Sequence, residues 1–300
     1  MLVYRRPTYL RLSHLGRGAR VKRAPLNKSI FMRAVLVILI CVLGCSAFAT
    51  HPGSVVSSFY AAPLRYGSVT YFPQGLTYGD GYIWVIYAEG IATKRQFPTG
   101  SLLTTFICPA PAWGGEIAWD SRRKYIYLIS VWSGVYWVDS RNGSIIGSFT
   151  NPRGAGPLYG IEYNDYYPRS PIWVGDYKKV FNLDTTGSVV KSFDLSTWPH
   201  APGAYAFDSD TAGGPYIFVA AVRAGVAPWI YVVKPADFSV ITSFVSPLYP
   251  SSLADIAWDG QYLWGLENCE ATVGWVKRFV AHSSPNIEPA SIGKIKALYR

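Results

Sequence analysis

A twelve-residue pattern recurs five times in this chain, and it limits the fold more tightly than any other feature. Its clearest copy is Asp255 to Leu266, DIAWDGQYLWGL: an apolar run, an Asp-Gly turn and a second apolar run. Further copies begin at Gly75, Glu116, Gly160 and Ala204. The aromatic residue before the turn is Tyr78, Trp119, Tyr163, Phe207 and Trp258, at spacings of 41, 44, 44 and 51. A period in that range marks a repeat architecture.

A second motif keeps the same time. A small residue, two aliphatic residues and Ser or Thr before Phe occur as SVVSSF from Ser54, SLLTTF from Ser101, SIIGSF from Ser144, SVVKSF from Ser188 and SVITSF from Ser239. Each run is short, rich in Val, Ile, Tyr and Trp, and bounded by Gly, Pro, Asp or Asn, which reads as strand. Two runs flank the Asp-type turn, a third follows (VYWV from Val135, WIYVV from Trp229), and the Ser-Phe run is the fourth. Four antiparallel strands in this length make one propeller blade. The sequence therefore predicts an all-β, five-bladed β-propeller. Because the chain opens on a Ser-Phe run and its last repeat lacks one, Ser54 to Phe59 is expected to complete the fifth blade and remove an exposed edge.

The formal charge of +10 does not extend over this repeat region. Residues 1–50 hold nine Lys and Arg and no acid, leaving 19 basic against 18 acidic residues. The balance gives no ground for a nucleic-acid partner. Arg33, the apolar run Ala34 to Leu43 and Ala47-Phe48-Ala49 have the parts of a secretory signal peptide, with cleavage expected after Ala49. The apolar run is too short to span a bilayer comfortably. Val42 to Cys45 offers a lipoprotein-type alternative, and Met32 would open a signal of ordinary length. The expected organisation is an upstream extension over 1–31, a signal over 32–49, a monomeric propeller over 50–282 and a tail over 283–300. The mature protein is then exported to the periplasm, cell surface or medium without a membrane span. Export also permits a disulfide between Cys108 and Cys269.

In a propeller the innermost strands line the axis, and the loops leading into them share a face with those joining second and third strands. The opening positions are Gly75, Glu116, Gly160, Ala204 and Asp255; two residues further on, only Glu162 is not small. Glu116, Glu162 and Asp255 are thus aimed towards one axis. Three readings of them stand: solvated channel acids, oxygen ligands for a cation such as calcium, or groups for acid-base catalysis. Trp113, Trp132 and Trp198 lie in or beside loops of this face as candidate stacking platforms, and Lys178 and Arg223 are its candidate basic contacts. Trp84, Trp119, Trp173, Trp258 and Trp264 repeat at strand positions and belong to the core. Asp120, Asp208 and Asp259 begin tight turns, where Asp bonds its own backbone. No histidine cluster, catalytic triad or phosphate-binding glycine loop is present.

The Trp258-Asp259-Gly260, Tyr262-Leu263-Trp264 and Ser-Phe elements resemble secreted bacterial β-propeller repeat proteins of the broad NHL-like and quinoprotein-like class. That resemblance implies a binding module for a protein, peptide or glycan, since one fold hosts many functions. A narrower stretch, Phe72-Pro73-Gln74-Gly75-Leu76, is similar to the Phe-Thr-Gln-Gly-Leu motif of five-bladed glutaminyl cyclases, which cyclise N-terminal glutamine. Pro73 departs from that motif, and the family's Glu-Ser-Thr-Gly stretch is represented by Tyr87-Ala88-Glu89-Gly90. This resemblance implies a pocket role for Gln74 and a proton shuttle at Glu89 or Glu116. The alternative to a binding module is therefore an enzyme, cyclase-like or acting on glycans, that uses the axial carboxylates.

Overall fold

The computed structural model describes residues 51–281, apart from 109–114, 131–132, 155, 199–200, 209–213, 224–225, 249–251 and 269–273. The expected upstream extension, signal peptide and tail lie outside these residues. The chain begins with β1 (Val55–Tyr60) and a small hairpin, β2 (Leu64–Tyr66) and β3 (Val69–Tyr71). Blade one is β4 (Pro73–Gly79), β5 (Tyr82–Tyr87), β6 (Ile91–Gln96) and β7 (Leu102–Ile107). Blade two is β8 (Ile117–Asp120), β9 (Tyr125–Ser130), β10 (Gly134–Asp139) and β11 (Ile145–Thr150). Blade three is β12 (Gly160–Tyr163), β13 (Ile172–Gly175), β14 (Lys179–Leu183) and β15 (Val189–Asp194). Blade four is β16 (Ala201–Asp208), β17 (Tyr216–Arg223), β18 (Val226–Val233) and β19 (Val240–Val245). Blade five is β20 (Ser252–Trp258), β21 (Leu263–Asn268) and β22 (Trp275–Phe279), and β1 completes it as the outer strand.

Every blade is a four-stranded antiparallel sheet, so this is the expected five-bladed β-propeller. Ring closure is also as expected: β1 runs antiparallel to β22, from Val55 opposite Phe279 to Tyr60 opposite Trp275. The hairpin of β2 and β3 was not foreseen; Leu64 and Tyr71 from it pack on the cluster between blades five and one.

Five buried clusters hold the ring, each straddling two neighbouring blades. Trp84, Trp119, Trp173 and Trp264 are buried within them, as their repeated positions predict, and Trp258 packs partly buried beside Phe218. Burying each large side chain contributes about 1.5–3 kcal/mol or more. Trp84 and Trp119 stack at 5.6 Å across the first junction, and a Cβ at Gly79 would come within 2.1 Å of the Trp119 ring.

The Ser-Phe motif has two structural reasons. Its phenylalanine receives the turn that precedes the next blade's outer strand. A Cβ at Gly100 would lie 2.2 Å from the Phe59 ring, and one at Gly143 2.5 Å from Phe106. Both glycines have left-handed φ, so any other residue is strained as well as crowded. Blade four does this differently, with Phe238 at φ 58° stacked 5.1 Å from Phe193. The aliphatic pair marks a β-bulge in every outer strand, the extra residue being Val56, Leu103, Ile146, Val190 or Ile241. Bulges twist edge strands away from further pairing.

Candidate functional site at the axial mouth

An innermost strand is hydrogen-bonded on one side only, so some of its N–H groups point at the axis with no ladder partner. Two of the three axial acids serve this edge. Asp255, on β20, accepts the Leu76 N–H of blade one at 2.7 Å through Oδ2 and the Ile256 N–H at 2.8 Å through Oδ1. Glu116, just before β8, accepts the Ile161 N–H of blade three. Each reaches the blade that follows its own, tying neighbours together at the centre. The chain must pass close for this to happen: a Cβ at Gly75 would lie 2.7 Å from Glu116 Cα and 3.0 Å from Asp255 Oδ2. Bulges between Pro73 and Gly75 and between Leu253 and Asp255 set these strand openings.

The carboxylates differ in what remains unsatisfied. Asp255 is 1% exposed and both its oxygens accept N–H groups. Glu116 is 8% exposed, and its Oε2 has no partner in the protein. Glu162 is half-buried and accepts its neighbour's Tyr163 N–H. Burial is the main cause pushing all three carboxyls well above the usual carboxylate range, and the Asp255 charge raises Glu116 and Glu162 further. Two N–H donors offset part of the burial cost at Asp255, whereas Glu116 has one such donor and the Asp255 charge beside it.

Tyrosines complete the mouth. Tyr205, directly after the blade-four opening residue, is 1% exposed with an unpartnered hydroxyl. Its pKa is well above the ordinary phenol value because of burial first, then the charges of Glu116 and Asp176. Tyr177 stacks on Tyr159 at 3.9 Å, and burial is the chief cause raising its pKa to about 12. Asp176 binds Arg153 at 2.9 Å and accepts the backbone N–H groups of Lys178 and Lys179. Gly175 leaves room for Tyr205: a Cβ there would sit 2.1 Å from its hydroxyl oxygen.

Other expected site residues fare differently. Gln74 is the extra residue of the β4 bulge, half-buried beside Gly75. Lys178 is exposed at a loop tip of this face. Glu89 is exposed at φ 62° in a single 3-10 turn, Ala88–Gly90. Trp198 is not a free platform: its ring lies 4.8 Å from Tyr231 and 6.0 Å from Phe238, packed on the cluster between blades three and four. Burying a large apolar ring there outweighs leaving it in water. Trp113, Trp132 and the Arg223 side chain lie outside the described residues.

Cys108 carries a free thiol buried in the cluster between blades one and two, where burial raises its pKa to about 12. Cys269, its expected disulfide partner, lies outside the described residues. Among the described residues no three His, Cys, Asp or Glu are placed to hold a metal ion. Two of the axial acids, Asp255 and Glu116, link neighbouring blades. They provide buried proton-holding groups, one unfilled carboxyl oxygen and an aromatic surround.

No protein-family model matches the sequence, and no functionally curated protein matches it. Among solved structures the fold is similar to a glutaminyl cyclase from Myxococcus xanthus, at 12% identity and TM-score 0.56, over 77% of this chain and 99% of that one. It is also similar to the Pan2 WD40 domain of Neurospora crassa, at 13% identity and TM-score 0.46, over 77% and 71% of the two chains. At such identities the first likeness establishes the fold and nothing finer.

Proposed function

We propose that this protein is a binding module that takes a peptide or protein segment at the axial mouth, seating a protonated amine against Glu116. The observation that carries this reading is Oε2 of Glu116, buried and without a partner, with Asp255 in its electrostatic neighbourhood and the Tyr205 hydroxyl also unfilled. A buried polar atom left unsatisfied is costly, and a ligand that supplies the missing donor removes that cost. A cation there also stabilises the ionised carboxyl, so binding must expel the Glu116 proton.

The test is calorimetric titration of a tetrapeptide amide beginning with Gln, beside its N-acetylated copy, in two buffers of different protonation enthalpy. The free amine should bind at least tenfold tighter, with proton release that vanishes in Glu116→Gln. Equal binding of both peptides, or no binding of either, sinks the proposal.

A second reading, the cyclase, is favoured by the fold likeness over nearly the whole of the Myxococcus enzyme and by the position of Gln74 at the mouth. The family's glutamate, however, falls on Tyr87 here. That tyrosine is fully buried, and its hydroxyl accepts an Arg95 N–H at 2.7 Å and donates to the Ala62 carbonyl. Glu89 is exposed in its turn, so the proton shuttle would fall to the buried Glu116. Mass spectrometry of the same Gln peptide after incubation separates the readings: loss of ammonia, abolished by Glu116→Gln, establishes the cyclase.

A further inference from the structure

The opposite face, where the Asp turns lie, carries a second site. In blade one the registered pair Trp84 and Lys94 places the Lys94 Nζ 3.6 Å from the Tyr82 ring centre. In blade five the equivalent pair is Trp264 and Arg278, and the Arg278 guanidinium lies 4.1 Å above the Tyr262 ring. Both blades thus cover an aromatic floor, Tyr-x-Trp on the second strand, with a cation of their own on the third.

Blade two keeps the floor and loses the cover. Tyr125 and Tyr127 hold the second-strand places, and Trp137, opposite Tyr127, stands where the others have Lys or Arg. Trp137 tilts against Tyr127 at 5.9 Å and leaves an open cleft of about 240 Å³. Its walls are Arg123 and, from blade three, Thr185.

We infer that this cleft is a carbohydrate subsite that takes one neutral pyranose ring. The charges select the ligand. The one charged wall of the cleft, Arg123, is paired with Asp120, so neither a cation nor an anion finds a free partner there. An anion gains little, because Arg123 already serves the fully buried Asp120 carboxylate at 3.3 Å and the Tyr127 hydroxyl. What fits is an uncharged ligand with one flat C–H face for the partly exposed Tyr125 and Trp137 rings and hydroxyls at its edge. Arg123 and the Tyr125 and Thr185 hydroxyls supply directional partners for those hydroxyls. The volume lies below that of common drug-sized pockets, which suits a single ring or the end of a longer glycan.

The experiment is saturation-transfer NMR and calorimetry on the full chain with glucose, galactose, mannose and N-acetylglucosamine. Tetramethylammonium and inorganic phosphate serve as charged controls. At least one sugar should bind saturably. Trp137→Lys, which restores the cover of blade one, should weaken it at least tenfold while the melting curve stays cooperative. Arg123→Gln, on an exposed side chain, should weaken the same sugar several-fold and serves if the first variant does not fold. The inference is overturned by any one of three outcomes: no sugar bound at roughly 10 mM, a concentration beyond which a ring with this few contacts has no useful affinity; tetramethylammonium or phosphate bound in preference; or sugar binding unchanged in the variants.

Discussion

Asp259, on the turn face of blade five, has a fully buried carboxylate surrounded by donors. It accepts the N–H groups of Gln261 and Tyr262, the Trp264 indole N–H at 2.7 Å and the Arg278 Nε–H at 3.0 Å. Glu116, at the other end of the ring, is buried nearly as deeply, accepts one N–H and leaves Oε2 empty. The difference is between an acid that completes a local structure and an acid that the fold tolerates. A residue whose demands are met at its own position works for stability. One whose demands are left open costs stability and is available to a ligand.

The sharpest way to break the comparison is to remove the satisfied member. Asp259→Ala strands the Trp264 indole, which is fully buried, and the Arg278 guanidinium, whose side chain is only 16% exposed. Breaking a buried, bonded ion pair costs on the order of 3–5 kcal/mol. In a domain of this size that lowers the melting midpoint by roughly 6–20 °C. Thermal unfolding at neutral pH measures it. A shift under a few degrees would mean that the turn acid is no more essential than the axial ones.

The opposite sign is expected at the axis. Burial raises the Glu116 carboxyl above its unfolded value, so the native state holds a proton that the unfolded chain has released. Stability from this group is fully present below the ordinary glutamate pKa of about 4.3 and is lost as pH rises towards the higher native value. Glu116→Gln keeps an acceptor for the Ile161 N–H and removes that loss. Its midpoint should match the wild type near pH 4 and exceed it at pH 8, by roughly 1–2 kcal/mol of relieved burial cost. Two curves of midpoint against pH test this, and parallel curves would contradict it.

The two ends also differ in how far they could be read from the sequence. The turn face was legible because its chemistry is local: an Asp that begins a tight turn bonds N–H groups two and three residues on, as Asp120 and Asp259 both do. The ring, its closure by β1 and the buried tryptophans followed from periodicity for the same reason. At the axis the acids were found, since opening positions can be counted, but not their partners. Asp255 meets Leu76 from 179 residues away, and Glu116 meets Ile161 across a blade junction. Tyr205 left one faint sign, a tyrosine directly after an opening alanine and a glycine at Gly175 to admit its hydroxyl. The packing of Trp198 on Tyr231 and Phe238 was not legible, because a loop position in sequence says nothing of the rings it meets in space. The pairing of Lys94 with Tyr82 needs strand register, which apolar alternation sets only to the nearest face.

The smallest expected effect separates local satisfaction from charge. Asp139 begins the turn between β10 and β11, and Arg141 bonds it through Nε and Nη2 while remaining 85% exposed. The hydrogen bonds from Arg141 are the chief cause holding the Asp139 carboxyl down to about 2. A depressed carboxyl contributes stability that is present above its unfolded pKa and is lost as pH falls through the native value, here between about 4 and 2. Arg141→Ala keeps the backbone N–H of position 141, which bonds Asp139 at 2.8 Å, and removes only the side chain. An exposed ion pair in water is worth little, so the midpoint at pH 7 should fall by at most ~2 °C. The two proteins should then converge below pH 2, where Asp139 is protonated in both. Should the loss at pH 7 rival that of Asp259→Ala, charge rather than the number of satisfied donors would be what the turn face supplies.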